Sequence, residues 1–147
     1  MANYPLFREV MRAAVSGDAK RAGELDDQIT DADRNAYNIY VTALFCGALE
    51  HRFATDQSQA AIKRFVDEMR YDYRNAQPPI QALVVEGLIR AVFGEDHLLD
   101  EISGEDQLRY QLLALRKIVD QSPEMKSRLD DYLSDAETLA AELQSEG

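Results

Sequence analysis

The sequence predicts an all-α fold, a single domain over residues 1–147 built from about seven helices. Apolar residues recur three and four positions apart along nearly the whole chain, and no stretch alternates as a half-buried strand does. Glycine (seven) and proline (four) are few, whereas helix-forming Ala, Leu, Arg, Glu and Gln are abundant. A chain of this length suffices for one hydrophobic core.

The first helix is predicted to begin near Pro5 and to end before Gly17. Proline suits a first helical turn, and glycine suits the position just past a last one. Asp18 can then cap a second helix. The residues expected to face the core recur at helical spacing: Phe7, Val10, Met11 and Ala14 in the first helix, and Ala22, Leu25 and Ile29 in the second.

A third helix is predicted from Thr30, which has the spacing of a capping box with Asp33, to about Phe53. Between residues 36 and 49 this helix is apolar or uncharged on every side, which is typical of a helix surrounded by others. Gly47 is unfavourable in a helix interior, and we expect it to let a neighbouring backbone come close.

The fourth helix is predicted to open at Thr55 and to stop before Pro78-Pro79, since a residue preceding proline is pushed towards extended geometry. The fifth helix is the most regular and leaves only a narrow polar edge, so we expect it to be central. Its expected inner face is Ile80, Leu83, Val84, Gly87, Leu88, Ala91 and Val92, with Val85, Ile89 and Phe93 as a second row.

Two more helices complete the prediction. Ser122-Pro123 ends the sixth and starts the last, which carries an apolar stripe from Met125 to Leu143. Because the connections are short, sequential helices are expected to pack as antiparallel hairpins.

The segment ALFCGALEHRFATDQSQAAIKRF resembles a tetratricopeptide hairpin, with Gly47 followed by Ala61 and Phe65 four apart. The spacing from Gly47 to Ala61 is 14, about two more than the 34-residue motif prefers, and no second copy follows at a fixed period. The resemblance implies a scaffold of helical hairpins with a groove, in the form of a short tetratricopeptide-like array.

The net charge of −11 limits the expected partners. Residues 76–147 hold six basic and fifteen acidic side chains, and such a surface repels phosphate backbones, so no nucleic acid is expected as a partner.

The single cysteine, Cys46, excludes an intramolecular disulfide and a four-cysteine zinc site. The longest uncharged stretch has 15 residues where a membrane span needs roughly 20, so we expect a cytoplasmic protein without membrane contact.

The stretch GEDHLLDEISGED, residues 94–106, concentrates six carboxylates and His97. A calcium loop needs oxygen ligands at alternating positions, and apolar residues occupy several of them here. We interpret the stretch as a charged corner between helices, with no metal or cofactor. Neither His97 nor His51 belongs to an HExxH or Glu-x-x-His pattern, so no catalytic residue is assigned and enzyme activity is not expected.

The stretch RYDYRNAQPP, residues 70–79, is the best candidate for a recognition surface. Arg70 and Arg74 are four apart on the outer face of the fourth helix, Tyr71 lies off its apolar stripe, and Arg64 adds to the same non-acidic region. Tyrosine and arginine are enriched at protein interfaces. The alternative interpretation is an ordinary solvated helix face.

Tyr37, Asn38 and Tyr40 give the third helix polar groups that can converge on a pocket, or can simply hydrogen-bond within the core.

The sequence supports three hypotheses about function. The leading hypothesis is a non-enzymatic protein that binds another protein or forms a homo-oligomer. The first alternative is a helical bundle that binds a small molecule or a metal ion, and an enzyme falls within this class. The second alternative is an acidic inhibitor or antitoxin-like protein that binds a basic partner.

Overall fold

The computed structural model describes residues 2–146, and within that range the chain is helical, without strands. The predicted all-α class is therefore confirmed. The elements in chain order are α1 (Tyr4–Val15), α2 (Ala19–Asp26), α3 (Asp31–Arg52), α4 (Gln59–Asp72), α5 (Ala82–Val92), a 3₁₀ helix (Asp96–Glu101), α6 (Gly104–Gln121), α7 (Pro123–Ser127) and α8 (Leu129–Glu146).

The described residues form nine helical elements, where the sequence pattern predicts about seven. The charged corner contains the 3₁₀ helix, and the predicted last helix is divided in two because Arg128 leaves helical geometry, with φ −116° and ψ 26°. The start of α4 was also misplaced, at Thr55. Ser58 is the true cap, and its hydroxyl accepts a hydrogen bond from the Ala61 amide at 3.2 Å.

The chain divides into two compact units, and the prediction of one domain over residues 1–147 stays a prediction. Unit 1 contains the described residues up to 48 and from 111 onward. In it α1 packs on α2, and the Phe7 ring lies 5.5 Å from the ring of Tyr37 and 6.0 Å from that of Tyr40. These buried aromatic rings form the centre of the unit 1 core.

Unit 2 contains residues 49–110, so α3 and α6 each have residues in both units. Here α4 packs on α5, and α5 packs on the 3₁₀ helix. The Phe53 ring makes edge-on contacts with Phe65 at 5.6 Å and with Phe93 at 5.9 Å. The Arg52 guanidinium lies over both Phe53 and Phe65, at 5.2 and 5.3 Å, and covers one end of this aromatic cluster.

Two predictions about packing are wrong. Leu83 was expected on the inner face of the fifth helix, but 82% of it is exposed, and the buried side of α5 is formed by Val85, Leu88, Ile89 and Ala91. Gly47 was expected to admit a neighbouring backbone, but a Cβ atom placed there meets nothing within 4 Å across the described residues. No helix in residues 2–146 is long and apolar enough to cross a membrane.

Candidate functional site

A groove of about 430 Å³ lies in unit 2 where α4 ends and the chain turns towards α5. Three of the four residues predicted as an interaction surface line it. We call it the α4 groove, and its walls are Asp67, Arg70, Tyr71, Tyr73, Arg74, Pro79 and Ile80.

The first wall of the groove is fixed by the end of α4. The Tyr73 amide donates to the Met69 carbonyl at 2.9 Å and closes the last helical turn. Arg74 then folds back. Its Nη1 donates to the Tyr71 carbonyl at 2.9 Å, and its guanidinium lies 4.6 Å from the centre of the Tyr71 ring. This cation–π contact orders two side chains that face solvent, with Tyr71 68% exposed.

The second wall is the loop that contains Pro78 and Pro79, and α6 residues of the same unit hold it. Arg109 donates a hydrogen bond to the Pro78 carbonyl, and the Gln81 amide donates to the Tyr110 hydroxyl at 3.1 Å. The Arg109 guanidinium also lies 5.2 Å from the Tyr110 ring centre. These bonds join residues about thirty positions apart, so the groove has two anchored walls.

The groove carries an excess of positive charge. Arg70 is exposed and makes no ion pair within residues 2–146, and the contacts of Arg74 are with Tyr71. Asp67 is the carboxylate among the lining residues. Two guanidinium groups thus face one carboxylate, in a protein whose net charge is −11. The lining of the groove is therefore more positive than the chain as a whole, while Glu68 and Asp72 add carboxylates on the same part of α4.

Arg64, the fourth residue predicted for this surface, lies outside the groove. It is exposed on α4 and approaches Asp56. The pKa of Asp56 is lowered chiefly by the hydrogen bond from the Ser58 amide, with a smaller contribution from Arg64. Arg64 therefore belongs to the beginning of α4, and the other three residues belong to its end.

The structure separates the three residues of the predicted pocket, all of which lie in unit 1. Tyr37 and Tyr40 are 1% and 0% exposed, whereas Asn38 is exposed to solvent. The Tyr40 hydroxyl donates to the Leu133 carbonyl at 3.2 Å. The Tyr37 hydroxyl has no hydrogen bond in the described part of the chain. Burial raises the pKa of both phenols, so both stay protonated near neutral pH.

The charged corner at residues 94–106 is organised by the chain itself. Gly94 ends α5 with φ +120°, and the Glu95 carboxylate accepts two hydrogen bonds of 2.6 Å from the Arg90 guanidinium. Ser103 caps α6 by accepting from the Asp106 amide at 3.1 Å. Nowhere in residues 2–146 do three or more His, Cys, Asp or Glu side chains come together as metal ligands.

Sequence reasoning included Pro79 in the candidate stretch but missed the apolar residues that follow it. Ile80 lines the α4 groove beside Pro79, and the exposed Leu83 follows three residues later in the first turn of α5. The Pro-Pro-Ile run marks a turn in the sequence, but nothing local shows that it faces Tyr71. That arrangement depends on the hydrogen bonds from α6.

No family model matches this chain, and neither a curated protein nor a solved structure matches it. The geometry of the described residues is therefore the basis of the functional argument. By its fold and its site, the protein belongs to the class of all-helical proteins, with the α4 groove, lined by arginine and tyrosine side chains, at the end of a helix.

Proposed function

We propose that this protein is a non-enzymatic, cytoplasmic binding protein that holds another protein in the α4 groove. The observation that carries the proposal is Tyr71, a large aromatic side chain left 68% exposed and ordered by the stacked Arg74. Tyrosine and arginine supply most of the binding energy at many interfaces, because they combine contact area with directional hydrogen bonds. An ordered pair also loses little conformational freedom on binding.

Exposed apolar surface near the groove supports the same proposal. The large apolar side chains exposed in the described range are Tyr71, Leu83 and Leu143, and the first two flank the segment that joins α4 to α5. Exposed apolar groups that cluster beside charged ones are typical of protein interaction sites. A partner with acidic and apolar side chains, including a second copy of this acidic chain, matches that chemistry.

We further propose that sequential helices pair as antiparallel hairpins, in the manner of a short tetratricopeptide-like array. Packing of α1 on α2 and of α4 on α5 supports this arrangement. A hairpin array places the ends of its helices at exposed turns, where binding residues commonly lie on a rigid support. The α4 groove occupies one such turn.

The test uses a photo-crosslinking residue, p-benzoylphenylalanine, in place of Leu83, with partners captured in cells and identified by mass spectrometry. Sedimentation velocity of the purified chain shows whether the partner is a second copy. The double variant Arg70→Glu/Arg74→Glu is expected to lose the crosslinked partner, while helical circular dichroism stays unchanged. Reversal of two groove charges opposes an acidic partner directly.

The matched control is Lys63→Glu/Arg64→Glu, which makes the same change in charge on the same helix, at exposed positions outside the groove. This control is expected to keep the partner. Equal loss in both double variants contradicts the assignment of the groove, because general charge alone would then account for binding. Equal capture by both also contradicts it, because the groove arginines would then not contribute.

A further inference from the structure

Unit 1 contains a second cavity of about 430 Å³, within the usual range for small-molecule sites of about 300–1,000 Å³. Its wall is made by residues of α1, α2, α3 and α6, all within this unit, and we call it the unit 1 cavity. The apolar part of the wall includes Val10, Ala14, Ala22 and Leu112, and Gly23 lies beside Ala22.

Small side chains keep this cavity open. Gly23 is a helical residue of α2, and a Cβ atom placed on it meets nothing within 4 Å among the described residues. Gly23 is exposed and Ala22 is half-buried, so the cavity is open to solvent along this side of α2. Their small size leaves room at the mouth of the cavity that a larger side chain would occupy.

A buried polar atom reaches the same cavity. Tyr37 is 1% exposed and lines the cavity, and its hydroxyl makes no hydrogen bond within residues 2–146. Across that range, every side-chain nitrogen or oxygen that is completely sealed from solvent has a hydrogen-bond partner. The Tyr37 hydroxyl is therefore not sealed, and the open space that its side chain borders is the unit 1 cavity. A phenol oxygen that is open to the cavity and bonded to no protein group is available to hydrogen-bond a ligand there.

The rim of the cavity is acidic. Lys20, Glu24, Asp26 and Asp27 lie there, and Asp26 is held by Arg34 through a hydrogen bond of 2.9 Å. Glu24 and Asp27 have no ion pair in the part of the chain that the structure describes, and they outnumber Lys20. The Arg34 guanidinium also lies 5.5 Å from the centre of the Tyr37 ring, so three carboxylates face two cations, Lys20 and Arg34. The balance is negative by one charge and favours a cation over an anion.

We propose that unit 1 binds a small organic cation, an ammonium group carried on an apolar body, in this cavity. The ammonium group donates hydrogen bonds to the Tyr37 hydroxyl oxygen and to a rim carboxylate, which satisfies the unpartnered phenol. The hydrocarbon body covers the apolar wall at Val10, Ala14 and Leu112. This site is independent of the α4 groove, so either proposal stands if the other fails.

The experiment titrates the full chain at pH 7 with 4-phenylbutylamine, followed by calorimetry and by amide chemical shifts. Two probes with the same body serve as controls: the alcohol 4-phenylbutanol and the carboxylate 5-phenylpentanoate. The amine is expected to bind saturably at one site, at least about tenfold more tightly than either control, because only it pairs with the rim carboxylates. The shifts are expected around Ala22, Gly23 and Tyr37.

Two variants test the wall and the hydroxyl. Gly23→Leu fills the cavity and improves helix propensity, so it folds while binding falls about tenfold or more. Tyr37→Phe removes only a hydroxyl that is bonded to no protein group, and it is expected to lower the affinity for the amine by about tenfold or more. Its matched control is Tyr40→Phe, the same substitution three residues along α3 outside the cavity lining, which is expected to keep full affinity.

Either of two results overturns the proposal. One is the absence of saturable binding of the amine, or equally tight binding of the carboxylate, which removes the basis for a cation site. The other is unchanged affinity in Gly23→Leu or in Tyr37→Phe, which places any bound amine elsewhere.

Discussion

Tyr37 and Tyr40 allow the hydrogen-bond assignments of unit 1 to be tested with one substitution made twice. Both side chains are almost completely buried in α3, and both rings contact Phe7. The Tyr40 hydroxyl donates to the Leu133 carbonyl, across 93 residues of sequence, whereas the Tyr37 hydroxyl has no partner in the described chain. Replacement by Phe removes the hydroxyl and keeps the ring, so the two variants should differ by one hydrogen bond.

The expected difference in the free energy of unfolding is about 1 kcal/mol, the usual net contribution of one neutral hydrogen bond. Leu133 lies inside α8, where helical carbonyls also accept from the following turn, so Tyr40→Phe does not leave a bare acceptor. That keeps the loss near 1 kcal/mol, or about 3 °C in Tm for a chain of this size. Tyr37→Phe should stay within about 0.3 kcal/mol of the unmodified protein, since it breaks no bond.

The assay is urea denaturation followed by circular dichroism at pH 7, with the slope m compared among the three proteins. Since burial raises the pKa of both phenols, neither titrates near this pH, and no charge effect enters the comparison. Equal destabilisation by the two substitutions would refute the reasoning, because it would mean that loss of a buried hydroxyl, rather than loss of its hydrogen bond, sets the cost.

Two further predictions concern glycines and a carboxylate. Gly23→Ala should raise the free energy of unfolding by about 0.5–1 kcal/mol, since the helical position has open space, whereas Gly17→Ala should lower it by about 1–2 kcal/mol. Gly17 has φ +83°, and its Cβ would lie 3.0 Å from Arg116 Nη2. The hydrogen bonds from Arg90 lower the pKa of Glu95. The ionised Glu95 side chain therefore stabilises the folded state at pH values above the ordinary Glu pKa, and this stabilisation is lost as pH falls through the lowered pKa. Urea denaturation should therefore show Glu95→Gln less stable than the unmodified chain at pH 7, with the difference shrinking towards pH 3 and in high salt.

Three of the helix beginnings were predictable because their signals act over three residues, whereas the start of α4 was misplaced at Thr55. The Asp18 carboxylate accepts from the Arg21 amide at 3.1 Å, and the Thr30 hydroxyl accepts from the Asp33 amide at 3.3 Å. Ser122 caps α7 in the same way, through the Met125 amide at 3.1 Å. Each of these caps requires only a short polar side chain at the right offset, so the sequence contains all the information that the contact needs.

The orientation of α5 was not predictable for a physical reason. Its apolar residues fall in two neighbouring rows that cover most of the helix surface, so the helical period alone cannot show which part of that surface is buried. Packing buries Leu88 and Ala91 of one row together with Val85 and Ile89 of the other, and leaves Leu83 exposed. The α4 groove has the same origin, because Arg109 and Tyr110 fix its second wall from about thirty residues away.

The case of the two tyrosines shows why the unit 1 cavity could not be found as a motif. Tyr37 and Tyr40 are the same residue type, three apart on one helix, and local sequence treats them alike. A carbonyl on α8 satisfies one hydroxyl and leaves the other open to the cavity. What distinguishes a structural phenol from a ligand-binding one is therefore a missing partner, which is a property of the whole fold. For that reason Tyr37→Phe should change the affinity for an amine while leaving stability unchanged, and Tyr40→Phe should do the reverse.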